Sequence, residues 1–167
     1  DPDFKGSGTH AGVNPANGVV LYYRLPKLGT DDVVIMDIKD SAGNLVRSFS
    51  SKKDSTFESW DGGPSEEPVL SANEGIKRFV WDMRYTSLPG IPGTYFENSF
   101  KGHKVSPGKY AIEIRVGTQK SSVQAIVMAN PQYFTTSAGY VEYHEVMNDM
   151  ESKVRTMHLM VNGLYAK

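Results

Sequence analysis

Lys109-Tyr110-Ala111-Ile112-Glu113-Ile114-Arg115-Val116 has the cleanest alternation in the chain. Tyr110, Ile112, Ile114 and Val116 fall on one side, and Lys109, Glu113 and Arg115 on the other. A side-chain period of two is what a strand with one buried face imposes. Gly117-Thr118-Gln119 then makes a short turn, and Ser121 to Met128 returns with Val123, Ala125 and Val127 inward. Two alternating runs joined by a short turn are an antiparallel hairpin.

Working outward, the same grammar repeats. Asn14-Pro15-Ala16-Asn17-Gly18 is turn chemistry, because proline presets φ and Asn-Gly accepts a positive φ. It leads into Val19 to Leu25, a β-branched and aromatic strand. Val33 to Ile38 and Leu45 to Phe49 flank the turn Asp40-Ser41-Ala42-Gly43-Asn44 as a second hairpin. Gly75 to Met83 alternates again, with Phe79, Trp81 and Met83 facing one way. Lys52 to Asn73 and Tyr85 to Pro107 are long, rich in turn residues and read as loops. Short alternating strands between turn signals predict a mainly β fold, an Ig-like or fibronectin-type antiparallel β-sandwich.

After Asn130-Pro131 the period changes. Tyr143, Met147, Met150, Val154, Met157, Val161 and Leu164 recur at alternating spacings of four and three, a heptad seam flanked by charged residues. Thr136 or Ser137 can cap its start. The spacing predicts one long C-terminal amphipathic helix. The expected organisation is a flexible arm over 1–13, the sandwich over 14–131, and over 132–167 a helix packing on the sandwich or on a partner.

Composition bounds what such a chain does. With 39% hydrophobic and 22% charged residues over 167 positions it is an ordinary globular sequence, not a disordered one. The net charge of −1 lacks the basic excess that holding a polyanion requires, so no nucleic-acid partner is expected. Apolar runs are too short for a membrane span. Zero cysteines exclude disulfides, thiolate nucleophiles and cysteine-based metal sites. The chain opens at Asp1 without methionine or an apolar leader, as expected of a processed protein or excised domain.

No motif for chemistry stands out. His144 and His158, fourteen residues apart, lie about 21 Å apart along a helix and cannot share a metal, and surface or packing roles are expected for both. His10 and His103 meet only if two loops bring them together. Asp61, Glu66, Glu67 and Asp82 lack a spacing that marks a catalytic pair and read as solvated charges. No metal, cofactor or catalytic residue is expected. Trp60, Tyr95 and Phe96 carry more weight, since loop aromatics stack on sugars, anchor interfaces or fold over as a minor core. Because about 40 Å of helix outruns a strand of about 20 Å, Tyr143, Met147 and Met150 are expected on the sandwich. Val154, Met157, Val161 and Leu164 are then left for a partner.

Four segments in order resemble a known family. Asn14-Pro15-Ala16-Asn17-Gly18 with its strand, Ile38 to Ser50, Arg78-Phe79-Val80-Trp81-Asp82-Met83-Arg84-Tyr85, and Pro107-Gly108-Lys109-Tyr110 are similar to the C-terminal region of secreted bacterial β-propeller proteins. Those propellers carry BNR or sortilin-like repeats and are often labelled glycosyl hydrolases. The hairpin and Trp-Asp segments also resemble the Ig-like domain of the flagellar hook-capping protein. The resemblance implies a non-catalytic accessory or interaction module of an exported bacterial protein, secreted, periplasmic or on the cell surface. Its implied partner is the propeller of the parent chain. Self-association through the helix is a second expected contact, and a carbohydrate-binding module using the loop aromatics is the alternative.

Overall fold

The computed structural model describes residues 14–97 and 99–165. The arm expected over 1–13, with His10, lies outside them. Six strands and one helix follow in order: β1 Val19–Leu25, β2 Val34–Lys39, β3 Leu45–Ser50, β4 Gly75–Trp81, β5 Gly108–Val116, β6 Gln119–Val127 and α1 Ser137–Tyr165. The strands form two antiparallel sheets, β1-β4 and β3-β2-β5-β6. The molecule is a β-sandwich with a long C-terminal helix.

Both hairpins form where turn chemistry places them. In the β2–β3 turn, Asp40 Oδ1 accepts hydrogen bonds from the backbone N–H groups of Ala42 and Asn44 at 2.9 and 2.8 Å. Asn44 Nδ2 donates to the other oxygen at 2.9 Å, and Gly43 supplies the positive φ of 85°. Burial works against the Asp40 charge, but bonds from Asn44, Ala42 and Gly43 hold its carboxyl below the usual range. β5 and β6 pair without a register shift, from Gly108 against Val127 to Val116 against Gln119.

The core lies between the sheets. Val34, Met36, Ile38 and Trp81 are fully buried. Phe49 of β3 meets Phe79 of β4 edge-on at 4.7 Å, and Trp81 meets Tyr110 at 5.4 Å. The Trp81 indole N–H donates to Arg84 O at 3.1 Å, so its one polar atom is satisfied inside the core. Met83 follows β4 with φ 58°, rare for a residue with a side chain. Met83 still packs against the core beside Phe79 and Trp81, while Asp82 meets Arg47 of β3 and Arg84 Nη1 donates to Gly102 O in the following loop at 2.8 Å.

Thr136 caps α1: its Oγ1 accepts the Gly139 N–H at 3.1 Å. Two expectations fail in detail. Val123, read as inward-facing and buried, is 57% exposed. Tyr143 and Met150, expected on the sandwich, are 42% and 55% exposed. The first reflects a sheet opposite that is only two strands wide. The second reflects a different face of the helix being the docked one.

Candidate functional site

The two long loops fold against each other at one end of the sandwich. Trp60 packs on Gly63 and Gly90, where a Cβ would strike its ring, and its Nε1–H donates to Thr94 O at 3.0 Å. Tyr95 lies against Gly62, and the Phe96 N–H donates to Gly62 O at 3.3 Å. Phe96 meets Phe100 edge-on at 5.6 Å and stacks near His158 at 5.7 Å. The loop aromatics thus act first as a minor core. Trp60 is half-buried, while Tyr95 stays exposed.

α1 docks on the 85–106 loop through polar side chains. Such a loop has backbone groups that no ladder satisfies, and they need partners when covered. Arg155 Nη2 donates to Ser87 O at 3.1 Å, His158 Nδ1–H to Pro89 O at 2.5 Å, and Asn162 Nδ2 to Gly90 O at 2.9 Å. Glu151 Oε1 accepts the His103 backbone N–H at 2.6 Å. Its Oε2 lies 3.0 Å from His103 Nδ1, an ion-pair distance whose angle misses hydrogen-bond alignment. Ser106 Oγ donates to Tyr140 O at 3.1 Å, tying the start of the helix to the end of the loop.

His103 and His144 are brought together here, with 3.1 Å between Nε2 and Nδ1. With the Asn148 amide nitrogen donating to His144 Nε2 at 3.0 Å, the His144 proton sits on Nδ1 and His103 Nε2 accepts it. The Tyr85 ring stacks on both imidazoles, at 4.4 and 5.2 Å. Burial pushes the Tyr85 hydroxyl up to about 12. Burial, then the neighbouring His103, holds His144 below the ordinary histidine value. Among the described residues no group of three or more His, Asp or Glu side chains is placed to hold a metal ion. Sequence reasoning missed Glu151, Arg155 and Asn162. Their signal was a second row, His144, Glu151, Arg155, His158 and Asn162, at helical spacing but polar.

Docking by the polar row leaves apolar side chains uncovered. A cleft of about 330 Å³ between loop and helix is lined by Leu88, Phe96, Phe100, Val154, Met157 and His158. The adjoining helix face forms a shallow groove of about 540 Å³, where Met157, Met160, Val161 and Leu164 meet Lys153. Five of the seven candidate residues therefore share one continuous surface: Phe96, Val154, Met157, Val161 and Leu164. Trp60 and Tyr95 stand beside it, in the loops that support Phe96. Met160 is 67% and Leu164 73% exposed.

A second feature joins two of the sequence segments. The buried Arg47 guanidinium donates to Glu67 Oε2 at 2.6 Å and to Asp82 Oδ1 at 2.9 Å, and lies over the Phe49 ring at 4.8 Å. Glu67 and Asp82, read from the sequence as solvated charges, stay partly exposed and in addition share one cation beside a hollow of about 300 Å³. Asp61 and Glu66 are not drawn in, and Glu66 pairs with Lys53 at 3.1 Å. Each carboxylate gives one oxygen to the same guanidinium, an arrangement that ties β3 to the loops. Comparison with known protein families, with curated proteins and with solved structures finds no match.

Proposed function

We propose that this chain is a non-catalytic interaction module whose helix presents an apolar surface to a neighbouring domain of its parent polypeptide. The observation that carries this reading is the uncovered row Met157, Met160 and Leu164 beside the Phe96 cleft, on a helix already anchored by its polar face. Each such side chain left in water forgoes roughly 1.5–3 kcal/mol. A helix held rigid on one side and apolar on the other is preorganised for a partner, so little ordering cost remains on binding. Methionine at several positions suits a contact that adapts its packing. The four-segment resemblance supports a β-propeller of an exported bacterial protein as that neighbour. A second copy would cover the same surface in the isolated chain. The sugar-stacking alternative has less support, because Trp60 is engaged with Gly63, Gly90 and Thr94.

Light scattering of the isolated chain tests this. Concentration-dependent self-association is expected, and it should weaken in Met157→Lys. Methionine oxidation footprinting complements it: Met157 and Met160 should react readily in the isolated chain at a dilution where it is monomeric, and be protected in the longer polypeptide. A monomeric chain together with equal oxidation in both contexts would refute the proposal.

A further inference from the structure

We infer that the open edge of β1 is a docking site for an extended strand of another polypeptide, lying beside β1 and over β6. This site is separate from the helix surface. It rests on a mismatch between the sheets: β1-β4 has two strands and β3-β2-β5-β6 has four. The ring contacts place β4 over β3 and β5, through Phe49–Phe79 and Trp81–Tyr110. β1 lies at the β5–β6 side, where Leu25 shares a hollow of about 170 Å³ with Ile114, Val116 and Ser121. Beyond β1 the two-stranded sheet carries no further strand among the described residues.

Burial falls away one strand spacing from the core. Ile112 is 3% exposed, and Val123, its register partner on β6, is 57% exposed. Neighbouring strands stand about 4.8 Å apart, so one added strand would close the gap. It would pair its backbone with the free edge of β1, whose seven residues offer about 23 Å of ladder. Its side chains would alternate, one set covering Ser121, Val123 and Ala125 and the other beside Val20, Tyr22 and Arg24.

Charge narrows the occupant. The charged residues lining the hollow are Arg24, Arg115 and Lys120, all basic. Arg115 also reaches Asp37 at 3.3 Å and Lys120 reaches Glu113 at 3.8 Å, both on the outer face of the larger sheet. Arg24, exposed on the outer face of β1, has no ion-pair partner among the described residues, so a strand with apolar residues turned toward β6 and acidic residues alternating with them beside Arg24 fits the site. The thirteen residues ahead of Asn14 do not have that pattern, since Phe4 and Val13 are their only large aliphatic or aromatic residues.

The probe is a synthetic peptide, Val-Glu-Val-Thr-Val-Glu-Val, added to the isolated chain and followed by amide hydrogen exchange. Amides of β1 that point away from β4 should gain at least about tenfold protection. The gain should shrink with added salt, disappear for a peptide with proline at alternate positions, and fall in Val123→Glu, whose exposed site tolerates the change. No protection of β1 at millimolar peptide would overturn the inference. So would protection confined to the outer edge of β6, whether from the peptide or from a second copy of the chain.

Discussion

Replacing Glu151 with alanine should release the helix while the sandwich stays folded. The Glu151 side chain is 15% exposed and the His103 side chain fully buried, so water does not reach this contact in the docked state. Oε1 accepts the His103 backbone N–H at 2.6 Å, and Oε2 stands 3.0 Å from the ring Nδ1. A hydrogen bond to a charged group contributes about 1.5–3 kcal/mol, and a buried donor left unpaired costs about 1–3 kcal/mol. Undocking readmits water and caps the loss, so about 2–4 kcal/mol is the expected change in docking free energy. At about 1.4 kcal/mol per tenfold, exchange of α1 amides and of the Tyr85 and Val105 amides should accelerate roughly 30-fold to 700-fold. Amides of β2 and β5 in the core should stay protected. Hydrogen exchange read by NMR resolves the two groups. Acceleration below about threefold in α1, or equal loss in β2, would show that the polar row does not hold the helix.

Docking should also depend on pH. Burial and His103 lower the His144 pKa in the docked state, while Asp40, Glu145 and Glu151 pull it the other way without prevailing. The docked chain therefore binds fewer protons than the undocked one, so docking is complete above the ordinary histidine value of 6.5 and weakens as pH falls below it. α1 exchange should rise on acidification, and His144→Gln should flatten the profile; an unchanged profile in that variant would assign the effect elsewhere. Trp60→Ala removes the ring that holds the loops on Gly63 and Gly90, and should cost about 2–4 kcal/mol, less than loss of the fully buried Trp81. Urea unfolding should show a lower midpoint at unchanged slope, whereas an unchanged midpoint would mean the loops hold without it.

The elements are written in local residue patterns. Period-two alternation set β5 and β6, the Asp40–Asn44 turn set the β2–β3 hairpin, and Thr136 with a heptad row set α1. These are local matters, because a strand or a capped helix announces its geometry in side chains a few residues apart. The resemblance segments are legible for the same reason, and Trp81 and Tyr110 proved to be core residues. Which strands pair across the sheets was not legible: β1 joins β4 across fifty residues of chain, and β2 joins β5 across nearly seventy. Alternation shows that one face is buried, not what lies opposite, so Val123 reads like its neighbours although the two-stranded sheet β1-β4 leaves it uncovered.

How the helix sits depends on the surface it meets. Hydrophobic periodicity points to the row Tyr143 to Leu164, on the rule that an apolar stripe seeks an apolar core. The surface that α1 meets is a loop, and the carbonyls of Ser87, Pro89 and Gly90 and the N–H of His103 must find partners where water is excluded. Arg155, His158, Asn162 and Glu151 supply them, so the polar row turns inward and much of the apolar row remains for another molecule to cover.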